Sequence, residues 1–191
     1  MTIIELLTIY AEKLLHGHRS NIHGAYVEIT NGCPRLLGKS ISAVFNSEFS
    51  MLDAFTTVSR IHGYQDWSEV ESNGNQSLNS IFETALDLML SGDLNELRKL
   101  INQKPELTQM QSDFGHSATL LHYCAANGVE TYRQMVPINL PEIARTLIDS
   151  GADKNALMHV YDGNFTPRQL VSSSAHPHNA GILDTLVKTL S

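Results

Sequence analysis

The chain has 191 residues, 20 acidic against 13 basic, for a net charge of −7 and a pI near 5.6. Its Lys and Arg residues are scattered, so no basic stripe is present to neutralise phosphates, and nucleic acid is not an expected partner. Hydrophobic residues make up 42% and no apolar run approaches the length of a bilayer span, about 18 residues, which predicts a soluble globular chain with no membrane partner.

The opening segment from Met1 is apolar but lacks a basic leader and a small-residue cleavage site. Its apolar positions Ile3, Leu7, Tyr10, Leu14 and Ile4, Leu7, Ala11, Leu15 fall at helical spacing, which predicts an amphipathic helix over 3–15. His16, His18 and His23 follow, at a spacing that matches no metal site well, and read as a solvated helix end. Cys33 and Cys124, far apart and each in apolar surroundings, predict buried thiols in a reducing compartment, with the cytoplasm as the default.

Residues 51–70 read as a helix, a break at Gly63 and a short helix, with Phe55, Tyr64 and Trp67 as the core of that pair. Glu71 to Ser77 is polar and contains Gly74, and separates a divergent region, 1–73, from a more regular one, 79–191. From Ile81 the pattern is helix, Ser-Gly-Asp turn, helix, with Asp93 placed to cap the second.

The second half is the most periodic. Leu120, Leu121 and Ala125, then Ile143, Ala144, Leu147 and Ile148, form apolar stripes, and Gly151 stands where a helix would end in a left-handed cap. Thr166, Pro167 and Gln169 make a capping box with proline at the first helical position. Ile182, Leu183, Leu186, Val187 and Leu190 share one face of a terminal helix.

Taken together, 119–128 and 140–156 read as one ankyrin repeat with an insertion between its two helices, and Pro34 and Pro105 lie 71 positions apart, about two repeats of the ~33-residue ankyrin period. The chain resembles a bacterial family of ankyrin-repeat proteins of unassigned function. The resemblance rests on Ala11–Leu15, His18-Arg19, Pro34–Leu36, Leu52–Ala54, Val58, Arg60, His62–Tyr64 and Trp67. In the second half it rests on Ala118–Tyr123, Ala125–Glu130, Tyr132–Gln134, Pro137, Asn139, Gly151–Asp153, Ser172-Ser173, His176-Pro177 and Ala180-Gly181. It implies an all-α, ankyrin-like solenoid of about five helix pairs, the first two degenerate, and by analogy a protein partner.

Two departures from the general ankyrin pattern stand out: Leu120 follows Thr119 where proline is usual, and the segment from Val129 to Leu140 is extra. In the ankyrin layout that insertion emerges opposite the hairpin fingers. Two surfaces therefore compete as the binding site. One is an edge where Tyr132, Arg133, Gln134 and Asn139 meet Ser172, Ser173, His176 and Asn179, either as a small-molecule or enzymatic pocket or as groups that merely satisfy loop backbone. The other is the finger face with Asp153, Lys154, Asn155, Tyr161, Asp162 and Asn164.

Thr119 and His122 read as a cap and an inter-repeat bridge rather than a catalytic pair. Ser172 to Ser174 with His176 lack a nucleophile elbow, so no catalytic residue, metal or cofactor is expected. The sequence reading is a non-catalytic interaction module, with self-association through the terminal helices as a further route to a homodimer.

Overall fold

The computed structural model describes residues 1–191, and most of them are helical: twelve α-helices and one two-stranded antiparallel sheet. The all-α expectation holds at that level, and the chain separates into two units, Met1–Leu78 and Asn79–Ser191. No helix is long and apolar enough to cross a membrane.

In the first unit, α1 (Ile3–Arg19) starts at a reciprocal cap in which Thr2 and Glu5 each hold the other's backbone N–H. Its next donors go to the linker, Ile3 N–H to Gln76 O and Ile4 N–H to Gly74 O. Ile3, Leu7, Ala11, Leu14 and Leu15 form its buried stripe, while Ile4 and Tyr10 from the expected stripes are only half-buried. The helix packs on α2 (His23–Gly32) and most extensively on α4 (Met51–Ile61); α3 (Ile41–Phe45) and α5 (Trp67–Asn73) complete the unit. A Cβ at Gly32 would stand 2.9 Å from Ile61 and from the Thr57 carbonyl oxygen, so glycine sets the α2–α4 approach.

Two expectations need correction here. His18 is not solvated: it is 7% exposed, stacks on Phe49 and places Nε2 2.9 Å from the Val44 carbonyl oxygen. The aromatic group is less central than predicted, since Phe55 and Trp67 stack at 4.1 Å but stay half-buried while Tyr64 is buried.

The second unit is built from packed helices and one hairpin. Helix α6 (Ser80–Ser91) pairs with α7 (Leu94–Gln103), ending at Gly92 with φ +79° and restarting on the Asp93 cap. Helix α8 (Leu120–Tyr123) packs on α9 (Leu140–Asp149) and on α10 (Pro167–Ser173), and α12 (Leu183–Thr189) packs on α9 and α10. Strands β1 (Met158–Val160) and β2 (Gly163–Phe165) form the hairpin that leads into α10.

One apolar core runs through this unit, including Phe82, Leu86, Leu97, Leu121, Ile143, Leu147, Leu170 and Leu186. Each such side chain contributes roughly 1.5–3 kcal/mol on burial. The predicted box at Thr166 and Gln169 is present. The Ser173–Asn179 turn contains an additional short helix, α11 (Ala175–Asn179), anchored by buried Pro177. The terminal helix begins at Leu183, because Gly181 at φ +71° and the non-helical Ile182 interrupt the apolar pattern.

Candidate functional site

The insertion from Val129 lies in a strap, Asn127 to Asn139, that carries a single 3-10 turn, Thr131–Arg133. That turn directs Arg133 inward. Its guanidinium bonds Glu130 Oε1 at 3.2 Å and Glu83 Oε2 on α6, and lies over the rings of Phe114 and Tyr132. Glu130 Oε1 also accepts the Tyr123 hydroxyl at 3.3 Å and lies 3.5 Å from His116 Nε2. His116, Tyr123 and Glu130 are each 0% exposed and Arg133 is 8% exposed.

Burial, and next the Glu130 charge, push the Tyr123 hydroxyl well above the usual phenol range. Burial also raises Glu83, against the pull of Arg133. For Arg133, burial alone would lower the pKa, but Glu130 and its neighbours outweigh it and the net shift is upward. The cluster is therefore a closed, charge-paired anchor: it pins the middle of the strap to α6 and to the α8 region. Cys124 beside it is fully buried, which pushes its thiol up to about 12 and keeps it protonated.

Two histidines line the inner side with fixed ring orientation. His116 Nδ1 accepts the Ala118 N–H at 3.0 Å, leaving Nε2 as the protonated nitrogen of the neutral ring. His122 Nδ1 accepts the Thr119 N–H at 3.0 Å, and its Nε2–H reaches the carbonyl oxygens of Ala156 and Phe165, each at 3.1 Å. His122 thereby holds the Thr119 N–H at the start of α8 and ties α8 to the segment from Ala156 to Phe165. Burial lowers His122 to about 4.

The other residues expected along the edge are tied back separately. Gln134 Nε2 donates to Val129 O at 2.9 Å, and Asn139 Nδ2 to Gly92 O at 2.9 Å. Ser172 and Ser173 bond carbonyls of their own helix. His176 and Asn179 are exposed on α11, and Tyr132 is 46% exposed with its ring under Arg133. Asn139 opens onto a groove of about 490 Å³ between α9 and α12, which it lines with Ile138, Arg145, Ile182, Thr185 and Thr189 among others.

On the finger side, Asp153 accepts the Asn155 N–H, Lys154 reaches the Ser191 carbonyl, and His159 pairs with Asn164 across the hairpin. Tyr161 and Asp162 form the tip with φ of +54° and +57°, a turn that glycine or asparagine ordinarily occupies. Tyr161 is 63% exposed, yet its hydroxyl donates to Asn127 Oδ1 at 2.6 Å, and Asn127 Nδ2 reaches Ser173 Oγ at 3.5 Å. The fingers and the insertion are thus not at opposite ends, as the ankyrin layout predicts. Helix α8 is one turn long, so the hairpin tip reaches the residue where the strap begins.

Sequence reasoning missed Glu83, His116, Glu130 and Asn127. Glu83 reads as an ordinary polar helix residue, 50 positions from Arg133, and no local pattern signals its partner. The Asn127-Gly128 pair does signal a turn; Gly128 has φ +74° and a Cβ there would meet Val160 at 3.0 Å. No protein-family model matches the chain, and no curated protein or solved structure gives a significant match.

Proposed function

We propose that the chain is a cytoplasmic, non-catalytic protein-interaction module of the ankyrin-repeat type. The observation that carries this reading is the link between successive loops: His159 N–H donates to His116 O at 3.0 Å, so the turn before α8 and the hairpin before α10 lie edge to edge. Packing of α8 on α10 and of α9 on α12 supports the same stacking, and His122 spans the interval as a bridge between neighbouring repeats. Such arrays bind through extended side-chain surfaces. The closed anchor around Arg133 weighs against a pocket on the edge.

The test is capture from a cytoplasmic extract with the tagged wild type, the Tyr161→Ala/Asn164→Ala variant and Ile138→Asp, all checked for unchanged circular dichroism. A protein retained by the wild type and lost with one of the surface variants supports the reading. Retention of nothing beyond the tag control sinks it.

A further inference from the structure

Three large apolar side chains stand out on the strap at intervals of three residues: Tyr132, Met135 and Ile138 are 46%, 51% and 77% exposed. They do not sit on slack chain. Arg133 between the first two is buried in the ion cluster, Gln134 is tied to Val129 O, and Asn139 after the last is tied to Gly92 O. Buried ion pairs are a weak source of net stability, because desolvation offsets much of their attraction. What this anchor does supply is position: it turns Arg133 inward and leaves the apolar side chains outward.

Ile138 also forms the lip of the groove between α9 and α12, so the apolar face continues into a concavity with Ile182 beneath it. The charges there are unbalanced. Glu142 is engaged by Arg98 at 3.0 Å, whereas exposed Arg145 in the same groove has no ion-pair partner. On a chain of net charge −7, a lone guanidinium beside aliphatic surface selects an acidic, apolar visitor.

We infer that this face, Tyr132–Met135–Ile138 continued by the Arg145 groove, is the docking surface for a peptide segment of a partner protein that presents a carboxylate next to a large apolar side chain. The inference rests on the interaction-module reading and specifies its surface and the chemistry of its partner. It places binding on the strap and the α9–α12 groove and not on the hairpin tip. Exposed apolar patches held rigidly beside a complementary charge are how such segments are gripped.

The experiment is selection of a phage-displayed library of random peptides, roughly twelve residues long, on the intact chain, followed by affinity measurements on the enriched peptides. Enriched peptides are expected to pair Asp or Glu with Leu, Ile, Phe or Met. Ile138→Asp and Arg145→Glu each weaken them by about ten-fold or more, and Arg145→Glu redirects selection toward Lys and Arg. Tyr161→Ala leaves binding unchanged. Both substituted residues are exposed, so circular dichroism should not move.

Peptides without an acidic preference, or peptides lost with Tyr161→Ala and kept by Arg145→Glu, overturn the surface while sparing the module. A dimer seen by light scattering and dissolved by Ile138→Asp also overturns it, since a second copy would then cover the face. If no peptide is enriched, the surface falls, and the module falls with it only when extract capture fails as well.

Discussion

Helix pairs α8/α9 and α10/α12 each pack together but join their helices differently. In the second pair the connection is a short helix, α11, whose polar side chains face water and whose buried element is Pro177. In the first the connection is the long strap, and it is held by ionised groups drawn inside: Arg133, Glu130 and, from α6, Glu83. A short connection can satisfy its backbone by capping. A long irregular one needs internal partners, because its buried polar groups have no helix ladder to join.

The largest effect that should separate the two connections is removal of Arg133. Arg133→Ala leaves the buried Glu130 and the half-buried Glu83 carboxylates without their cation and should cost about 3–5 kcal/mol in urea unfolding. A loss below about 1 kcal/mol, the range of an exposed ion pair, would mean that Arg133 faces water in solution and that the two connections do not differ.

The next effect is pH dependence through His122, whose folded pKa lies at about 4 against an ordinary 6.5. The unfolded chain takes up the proton first as pH falls. The stability from this residue is complete above about 6.5, declines as pH drops from there to about 4, and amounts to roughly 3 kcal/mol. His122→Gln should flatten the stability profile over that window; a slope that survives the substitution would assign it to other groups.

Smaller effects probe the hairpin tip, where the strap and the finger meet. Asp162→Gly relieves a non-glycine residue at positive φ and should stabilise by about 0.5–1 kcal/mol. Tyr161→Phe removes the hydroxyl bond to Asn127 and should cost about 0.5–1.5 kcal/mol by chemical denaturation. At the bottom of the scale, Ser172→Ala, at an exposed position of α10, should change stability by less than about 0.5 kcal/mol. A Ser172 effect equal to that of Arg133 would erase the contrast between the two connections.

Local chemistry made much of the fold legible. The Thr166–Gln169 box, the Asp93 cap and the Gly151 stop all lie within a few residues of what they satisfy. The 3.6-residue stripes give the buried faces of α1, α9 and α12, and the alternatives open to such stripes are few. Arg133 was legible as the centre of the insertion, but not its direction. That depends on Glu83 and Glu130 being within reach, and a pairing across 50 positions leaves no trace in either neighbourhood. His18 fails for a similar reason: its stacking partner Phe49 lies 31 positions on, so its surroundings read as polar while its ring is buried.

The His122 ring has a further consequence for how the C-terminal end comes apart. Its Nε2–H grips two carbonyls, Ala156 and Phe165, that open and close the hairpin segment, from a helix that belongs to the preceding pair. Fraying of α10 and α12 therefore cannot spread through the hairpin without also freeing an imidazole in the middle of the unit. Amide exchange in β1 and β2 should then follow the opening of α8 and not that of the nearer chain terminus, which would make the last two helix pairs one cooperative block.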